Sequence, residues 1–262
     1  MSLRNKIIVI TGASSGIGKE MAKQCVEKNA NVILIARSED ILLEMKQSLA
    51  KIGAGCIDYY VVDVAQKEEV VTVFQKIKET FQTIDVLINN AGFGIFESFS
   101  ETTPEEMEEM FQVNVFGVFY CTQEALKIMR ETKRGHIITT ASIAGKMATA
   151  KSSVYAATKH AVIGMMNALR LELSETNIQI TVVNPGPIRT NFFKRADRSK
   201  TYEKSVERYL LDPEDVAKKI VSTIYHPRRE INLPWYMGVG AKAYQLAPHL
   251  TEWIGGDSFK MK

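Results

Sequence analysis

The sequence predicts an α/β protein built on a doubly wound parallel sheet of about seven strands with helices on both faces. Two observations lead there. Short β-branched apolar runs alternate with longer segments of helical period along most of the chain, the pattern of repeated βα units. Several of those runs end in glycine, asparagine or aspartate, residues that turn a chain out of a buried parallel strand. The 262 residues are 45% hydrophobic and 24% charged, enough to bury a large core without disulfides or metals, and α/β folds of this length often form one domain, here residues 1–262.

Composition excludes several functions. The formal net charge is +3 and the basic residues are scattered. The pairs Lys194-Arg195 and Arg228-Arg229 form no basic stripe with interleaved aromatics, so no nucleic-acid partner is expected. Cys25, Cys56 and Cys121 are far apart and share no metal-ligand spacing, and the four histidines are equally isolated. No metal site is expected, and the cysteines read as reduced thiols of a cytoplasmic protein. The apolar run near the N-terminus is too short for a signal segment and leads straight into a glycine turn.

The first unit is Lys6 to Thr11 (KIIVIT), a strand buried on both faces, then Gly12-Ala13-Ser14-Ser15-Gly16-Ile17-Gly18, then a helix with Met21, Cys25 and Val26 on one side. Strand, glycine turn and helix together present backbone N–H groups and a helix N-terminus to a pyrophosphate. The glycine spacing is G-x-x-x-G-x-G. It differs from the common dinucleotide fingerprint and from a P-loop, since Glu20 stands where a P-loop needs Ser or Thr for Mg²⁺. The second strand, Asn31 to Ala36, ends without the acid that usually binds a ribose 2′-hydroxyl. Arg37 follows it instead, a guanidinium suited to a 2′-phosphate, with the hydroxyls of Ser14 and Ser15 as further donors. The expected cofactor is therefore NADP(H).

The third strand, Ile57 to Val62, closes at Asp63-Val64, and a helix runs from Gln66 to Phe81. The fourth, Ile84 to Ile88, ends in Asn89-Asn90-Ala91-Gly92. Ligands of open parallel sheets lie outside the carboxyl ends of the strands. Asp63 and Val64 are expected at the adenine, and Asn90, Ala91 and Gly92 where small residues let a cofactor approach the backbone. A plain tight turn is the alternative for the last three.

Thr103-Pro104-Glu105-Glu106 is a capping box with proline at the first helical position, and a single helix is expected from there through Met129. Its Glu105 to Glu109 run reads as a solvated first turn. Asn114, between Val113 and Val115, is an amide in an apolar stretch; a core residue satisfied by hydrogen bonds and a catalytic residue are both open readings. Gly135 to Thr140 is the fifth strand, and Ala141-Ser142 leaves its end. After a small, flexible loop, Ser153 is expected to cap a helix that holds Tyr155 and Lys159 at i and i+4, on one face.

Reducing a carbonyl requires a hydride at carbon and a proton at oxygen. A phenol, with a pKa of about 10, is a poor base near neutrality. An ammonium about 4 Å away at an effective dielectric near 20 supplies roughly 4 kcal/mol, which lowers the phenol by at most about three units. Ser142 then hydrogen-bonds the carbonyl oxygen and stabilises its developing charge. Ser142 and Tyr155 are thus the residues expected to meet substrate.

In order and spacing, Thr11-Gly12-x-x-x-Gly16-Ile17-Gly18, Asn89-Asn90-Ala91-Gly92, Asn114, Ser142, Tyr155-x-x-x-Lys159 and Pro185-Gly186 resemble the short-chain dehydrogenase/reductase family, over roughly residues 5 to 190. The resemblance implies a Rossmann-type fold and an NADP-preferring carbonyl/keto reductase. Tyr155 would be the general acid/base, Ser142 would orient the carbonyl, and Lys159 would bind the nicotinamide ribose and lower the phenol pKa. Asn114 would hold a water of a proton relay. Pro185, Gly186, Ile188 and Thr190 would border the nicotinamide, the last two at its carboxamide. A homodimer or homotetramer is also implied, with the helices from Pro104 and Ser153 paired across a two-fold axis.

From Asn191 to Leu211 polarity rises and periodicity weakens, the place of a mobile substrate flap in this family. Phe192, Phe193 and Tyr209 either meet an apolar group of the substrate or pack onto the body of the fold. Glu230 to Leu233 makes a short seventh strand. Residues 234–262 form an aromatic-rich amphipathic tail with Trp235, Tyr236, Tyr244 and Trp253, expected to pack on the cleft or on a second subunit rather than on a membrane. This ending departs from that of 3-oxoacyl-(acyl-carrier-protein) reductases, which stay as the alternative activity. A non-catalytic NADP-binding sensor would have lost Tyr155 or Lys159, and both are intact.

Overall fold

The structure is a computed structural model that describes residues 2–197 and 205–256. Its centre is a seven-stranded parallel sheet in the order β3-β2-β1-β4-β5-β6-β7. The strands are β1 (Ile7–Thr11), β2 (Asn31–Ala36), β3 (Ile57–Val61), β4 (Val86–Asn89), β5 (Arg134–Thr140), β6 (Asn177–Pro185) and β7 (Glu230–Leu233). All five residues of β1 are buried, as a central strand covered on both faces requires. Its side chains alternate between two cores. Ile8 and Ile10 join helices α1 (Gly16–Glu27), α2 (Glu39–Leu49) and α8 (Pro213–Ser222) on one face. Ile7 and Val9 face α3 (Lys67–Phe81), α5 (Gly117–Glu131) and α6 (Ser153–Glu172) on the other. The Rossmann-type doubly wound architecture is as the sequence predicts.

The strand order reverses direction between β1 and β4, which opens a crevice at their carboxyl ends. Thr11 clasps the two strands there. Its hydroxyl accepts hydrogen bonds from the backbone N–H groups of Asn90 and Ala91, and the Asn90 amide donates to the carbonyls of Thr11 and Gly12. Asp85, placed inside the fourth strand by its sequence, lies just before β4. Its carboxylate accepts from the Ile7 N–H and pairs with Lys6.

Two expectations about helices need correction. The helix from Pro104 is not continuous: α4 (Pro104–Phe111) passes into a π turn at Gln112–Phe116 before α5 begins. The wider turn rotates Asn114 inward, where it is fully buried, while Val113 and Val115 pack against the neighbouring core. The predicted capping box itself is present, with Thr103 and Glu106 bonded reciprocally. At α6 the N-cap is Ser152, not Ser153, and its hydroxyl donates to the Thr149 carbonyl rather than accepting from the helix. The loop before it also opens with a 3₁₀ turn, Ile143–Gly145.

Of the proposed flap, residues 198–204 lie outside the described residues. The part before them holds α7 (Phe192–Ala196), and Leu211 bridges back to Ile188. The tail forms α9 (Trp235–Leu246) and α10 (Pro248–Gly255); residues 257–262 of it also lie outside the described residues. Among the described residues, no helix is long and apolar enough to cross a membrane and no cluster of His, Cys, Asp or Glu could hold a metal.

Candidate active site

One cavity of about 720 Å³ runs along the carboxyl ends of the central strands. It is lined by Gly12, Ser14, Ser15, Gly16 and Ile17 from the glycine turn, and by Arg37, Asp63 and Val64 from the ends of β2 and β3. Asn90, Ala91 and Gly92 line it after β4, with Pro185, Gly186, Ile188 and Thr190 after β6. Ser142, Tyr155 and Lys159 line the far half. Of the residues the sequence marks as catalytic or cofactor-binding, Gly18 and Asn114 lie behind the wall and the others lie on it.

Gly18 acts through packing. A Cβ there would come within 2.2 Å of the Gly12 carbonyl oxygen and 2.7 Å of the Asn90 amide. Gly12 itself has φ +64° and would place a Cβ 2.8 Å from the Ala91 Cα, so it needs both the left-handed backbone and the missing side chain. The effect is a turn pressed against the β4 end with its backbone open to the cavity. Helix α1 follows with Ser15 as N-cap and no side-chain cap bond, whereas α4 and α8 are capped by Thr103 and Asp212. Its first-turn N–H groups therefore have no side-chain acceptor and suit an anion. Arg37 stands at the cavity edge, 61% exposed, with Asp63 at 3.9 Å. Ser38 joins it on the wall, a neighbour that carried no motif in the sequence.

Around Gly92 the other group converges. A Cβ at Gly92 would lie 3.0 Å from Asn114 Oδ1 and 3.5 Å from Lys159 Nζ. Lys159 Nζ donates to the Thr140 carbonyl at 3.2 Å and lies 5.7 Å from the centre of the Tyr155 ring. Ser142 Oγ accepts from the Ala144 N–H and donates to the Pro185 carbonyl, and it is close enough to the phenol to draw its pKa down. The Asn114 side chain is fully engaged: Oδ1 accepts from the Phe93 N–H, and Nδ2 donates to the Phe93 carbonyl and to Thr158 Oγ1. Its amide thus clamps the strand-end turn, the satisfied-core reading left open by the sequence.

Charge in this cleft departs from expectation. Burial pushes the Tyr155 phenol up to about 12, opposed only in part by the Ser142 hydrogen bond. Burial also brings Lys159 down to about 8. Burial outweighs the expected depression of the phenol by the ammonium, since both groups are withdrawn from water. A linkage consequence follows. Between about pH 8 and the ordinary lysine value of 10.5, the unfolded chain binds the Lys159 proton and the native chain does not, so this residue's contribution to stability rises with pH. The stability of Lys159→Met minus that of the parent should therefore fall across that window in paired thermal melts. A constant difference would refute the depressed ammonium.

The far half of the cavity is apolar. The rings of Phe96, Phe192 and Tyr155 meet edge-on or tilted, with centroids 5.6–6.1 Å apart. Phe193 and Tyr209 from the flap line it too, as do Met147 and the tail residues Tyr236 and Met237. The tail thus reaches the cleft, where a Cβ on Gly186 would strike the Met237 sulfur at 2.7 Å. Phe96, Met147 and Met237 carried no motif; only packing identifies them.

A glycine turn at the switch point of a parallel sheet, facing a Ser–Tyr–Lys cluster, defines a nucleotide-linked oxidoreductase cleft. Residues 6–201 match the family model described as short chain dehydrogenase, and the chain belongs to that family. An uncharacterized oxidoreductase of Staphylococcus saprophyticus is 34% identical over 227 residues, 87% of this chain and 94% of the relative. An alcohol dehydrogenase from the archaeon Thermococcus sibiricus, complexed with 5-hydroxy-NADP, matches with a TM-score of 0.79 at 26% identity, over 87% of this chain and 96% of that one. A short chain dehydrogenase/reductase of Burkholderia phymatum in complex with NAD matches with a TM-score of 0.87 over 95% and 96% of the two chains. At 23% identity that last likeness is one of fold.

Proposed function

We propose that this protein is an NADP(H)-dependent oxidoreductase that interconverts a ketone or aldehyde and the corresponding alcohol, with Tyr155 as general acid/base. The observation that carries the reading is the contact of Tyr155 with Ser142 at the apolar end of a cavity whose other end is the glycine turn. The residues fit a dinucleotide: the uncapped α1 N-terminus and the glycine cradle suit its pyrophosphate, and Gly92 leaves room beside Lys159. When bound, the dinucleotide supplies or accepts the hydride. Ser142 Oγ donates to the substrate oxygen and holds it next to the phenol. Tyr155 delivers its proton to that oxygen during reduction and recovers it in oxidation. A phenol held neutral by burial is in the donor form, which favours the reductive direction near neutrality. Lys159, which faces Gly92, would hold the nicotinamide ribose, while Asn114 clamps the Phe93 turn beneath it. The aromatic wall excludes water from the reacting carbonyl.

NADP(H) rather than NAD(H) rests on Arg37. No carboxylate ends β2, and the exposed guanidinium faces the cavity edge with a single distant partner. Arg37→Asp should raise KM for NADPH by about tenfold or more, the loss of a charge-assisted pair, and shift preference toward NADH. Unchanged selectivity in parallel titrations of the two cofactors would remove the 2′-phosphate argument. The activity itself is tested by following NADPH oxidation against a panel of aldehydes, diketones, ketosteroids and 3-oxoacyl thioesters. Self-association is part of the reading: Phe116, Phe119 and Leu171 are exposed on the helical segments expected to pair.

A further inference from the structure

We infer that Arg195 is a specificity residue that selects carbonyl or alcohol substrates bearing an anionic group about one helical turn from the reacting carbon. The inference rests on the reading of Tyr155 as proton donor. Among the described residues that line the cavity, only Arg37, Asp63, Lys159 and Arg195 are charged. The first two belong to the nucleotide end and Lys159 to the reacting centre. Among the described residues, Arg195 is the one formal charge on the aromatic wall, and no described acid lines that wall to oppose it.

Its position relative to the chemistry is set by α7. Phe192, whose ring centroid is 5.9 Å from that of Tyr155, is three residues before Arg195 on the same helix. Residues at i and i+3 share a face about 5–6 Å apart. The guanidinium carbon lies over the Phe93 ring, 3.7 Å from its centre, and Phe93 is the residue clamped by Asn114 beside Gly92. Stacking fixes the plane of the guanidinium while leaving its N–H edge free to bond an anion.

That edge is now bonded to Glu109 at 2.6 Å, with the two side chains 43% and 46% exposed. An exposed pair of this kind adds little to stability, so a substrate carboxylate that loses its water inside the apolar wall can displace Glu109. The glutamate then acts as a competitor for the arginine, a stand-in for the anion. A purely structural clip between α4 and α7 makes the opposite prediction: both partners would matter equally and for every substrate.

The test compares benzoylpropionate, a ketone with a carboxylate two methylenes away, with its methyl ester. The quantity read is the ratio of kcat/KM for acid over ester, by NADPH oxidation. Arg195→Gln should lower that ratio about tenfold to a hundredfold, the range of a hydrogen bond to a charged group. Glu109→Gln should raise it several-fold. A ratio that is unmoved by both variants, or moved in the same direction by both, overturns the inference. Calorimetric titration of the NADPH-loaded protein with phenylbutyrate gives the second measurement: tighter binding in Glu109→Gln and weaker in Arg195→Gln are expected, and equal affinities overturn the inference. If neither ketone is reduced while phenylbutyrate binding follows Arg195 as stated, the catalytic reading fails and the anion site stands.

Discussion

Tyr155→Phe is expected to lower kcat by about a hundredfold to ten-thousandfold, the range supplied by a positioned acid or base, while NADPH binds as before. The substitution removes one oxygen and its proton and keeps the ring. The ring's contacts with Phe96 and Phe192 account for the packing around it, so the wall of the cavity stays in place. What disappears is the phenol hydroxyl and its interaction with Ser142. Single-turnover measurements with enzyme-bound NADPH separate this loss from any change in affinity. Turnover at the parental rate would show that Tyr155 is not the proton donor, and a parallel loss of NADPH affinity would show that the residue serves binding rather than proton transfer. The parent's kcat in the reductive direction should also hold through neutrality, where burial keeps the phenol in its proton-donor form and Lys159 keeps its proton.

Gly18→Ala is expected to damage cofactor binding severely for the addition of a single methyl group. Its Cβ would sit 2.2 Å from a backbone carbonyl oxygen and 2.7 Å from the Asn90 amide, both held by the clasp that joins β1 to β4. Neither neighbour is the loose end of a flexible side chain, so the helix and the turn must separate. Overpacking of this kind costs about 1–3 kcal/mol, equivalent to several degrees in melting temperature for a chain of this size. NADPH affinity should fall further than stability does, by about a hundredfold, because the turn and the α1 N-terminus lose their mutual alignment. Melting curves with and without NADPH read both effects. A variant that melts like the parent and is stabilised equally by NADPH would mean that the close approach at Gly18 has no part in binding. Gly16→Ala makes a useful contrast, since its Cβ would meet only the Thr190 side chain, at 3.3 Å, although its φ of +52° adds backbone strain.

How much of this was legible beforehand differs between the two halves of the cavity. The nucleotide end was readable because its determinants are local. A turn that must bend sharply and let backbone pass at under 3 Å tolerates only glycine, so Gly12 and Gly18 mark themselves in the chain. Alternation of Ile7 and Val9 with Ile8 and Ile10 between two cores is likewise written in consecutive residues. The apolar end was not readable in the same way. Phe96, Met147 and Met237 come from three separate segments and meet only through the crossovers of the sheet. The π turn at Asn114 could not be anticipated from local propensity, since it depends on Phe93 and Thr158, 21 and 44 residues away.

The charge state of the centre illustrates the same division. The i, i+4 spacing of Tyr155 and Lys159 set them on one face of α6, and that much is sequence. Whether the ammonium lowers the phenol depends on what else surrounds the pair. The fold gives Lys159 the Thr140 carbonyl, encloses Tyr155 in rings and withdraws both from water, and desolvation then outweighs their attraction. By itself, then, the sequence determined the strand and helix periodicity, the glycine turn, and the chemical types at Ser142, Tyr155 and Lys159, because each follows from residues close together in the chain. The tertiary structure alone decided the inward turn of Asn114, the shape of the apolar wall and the place of Arg195 on it. Those depend on distances between segments far apart in sequence, which only the packing of the sheet and its helices establishes.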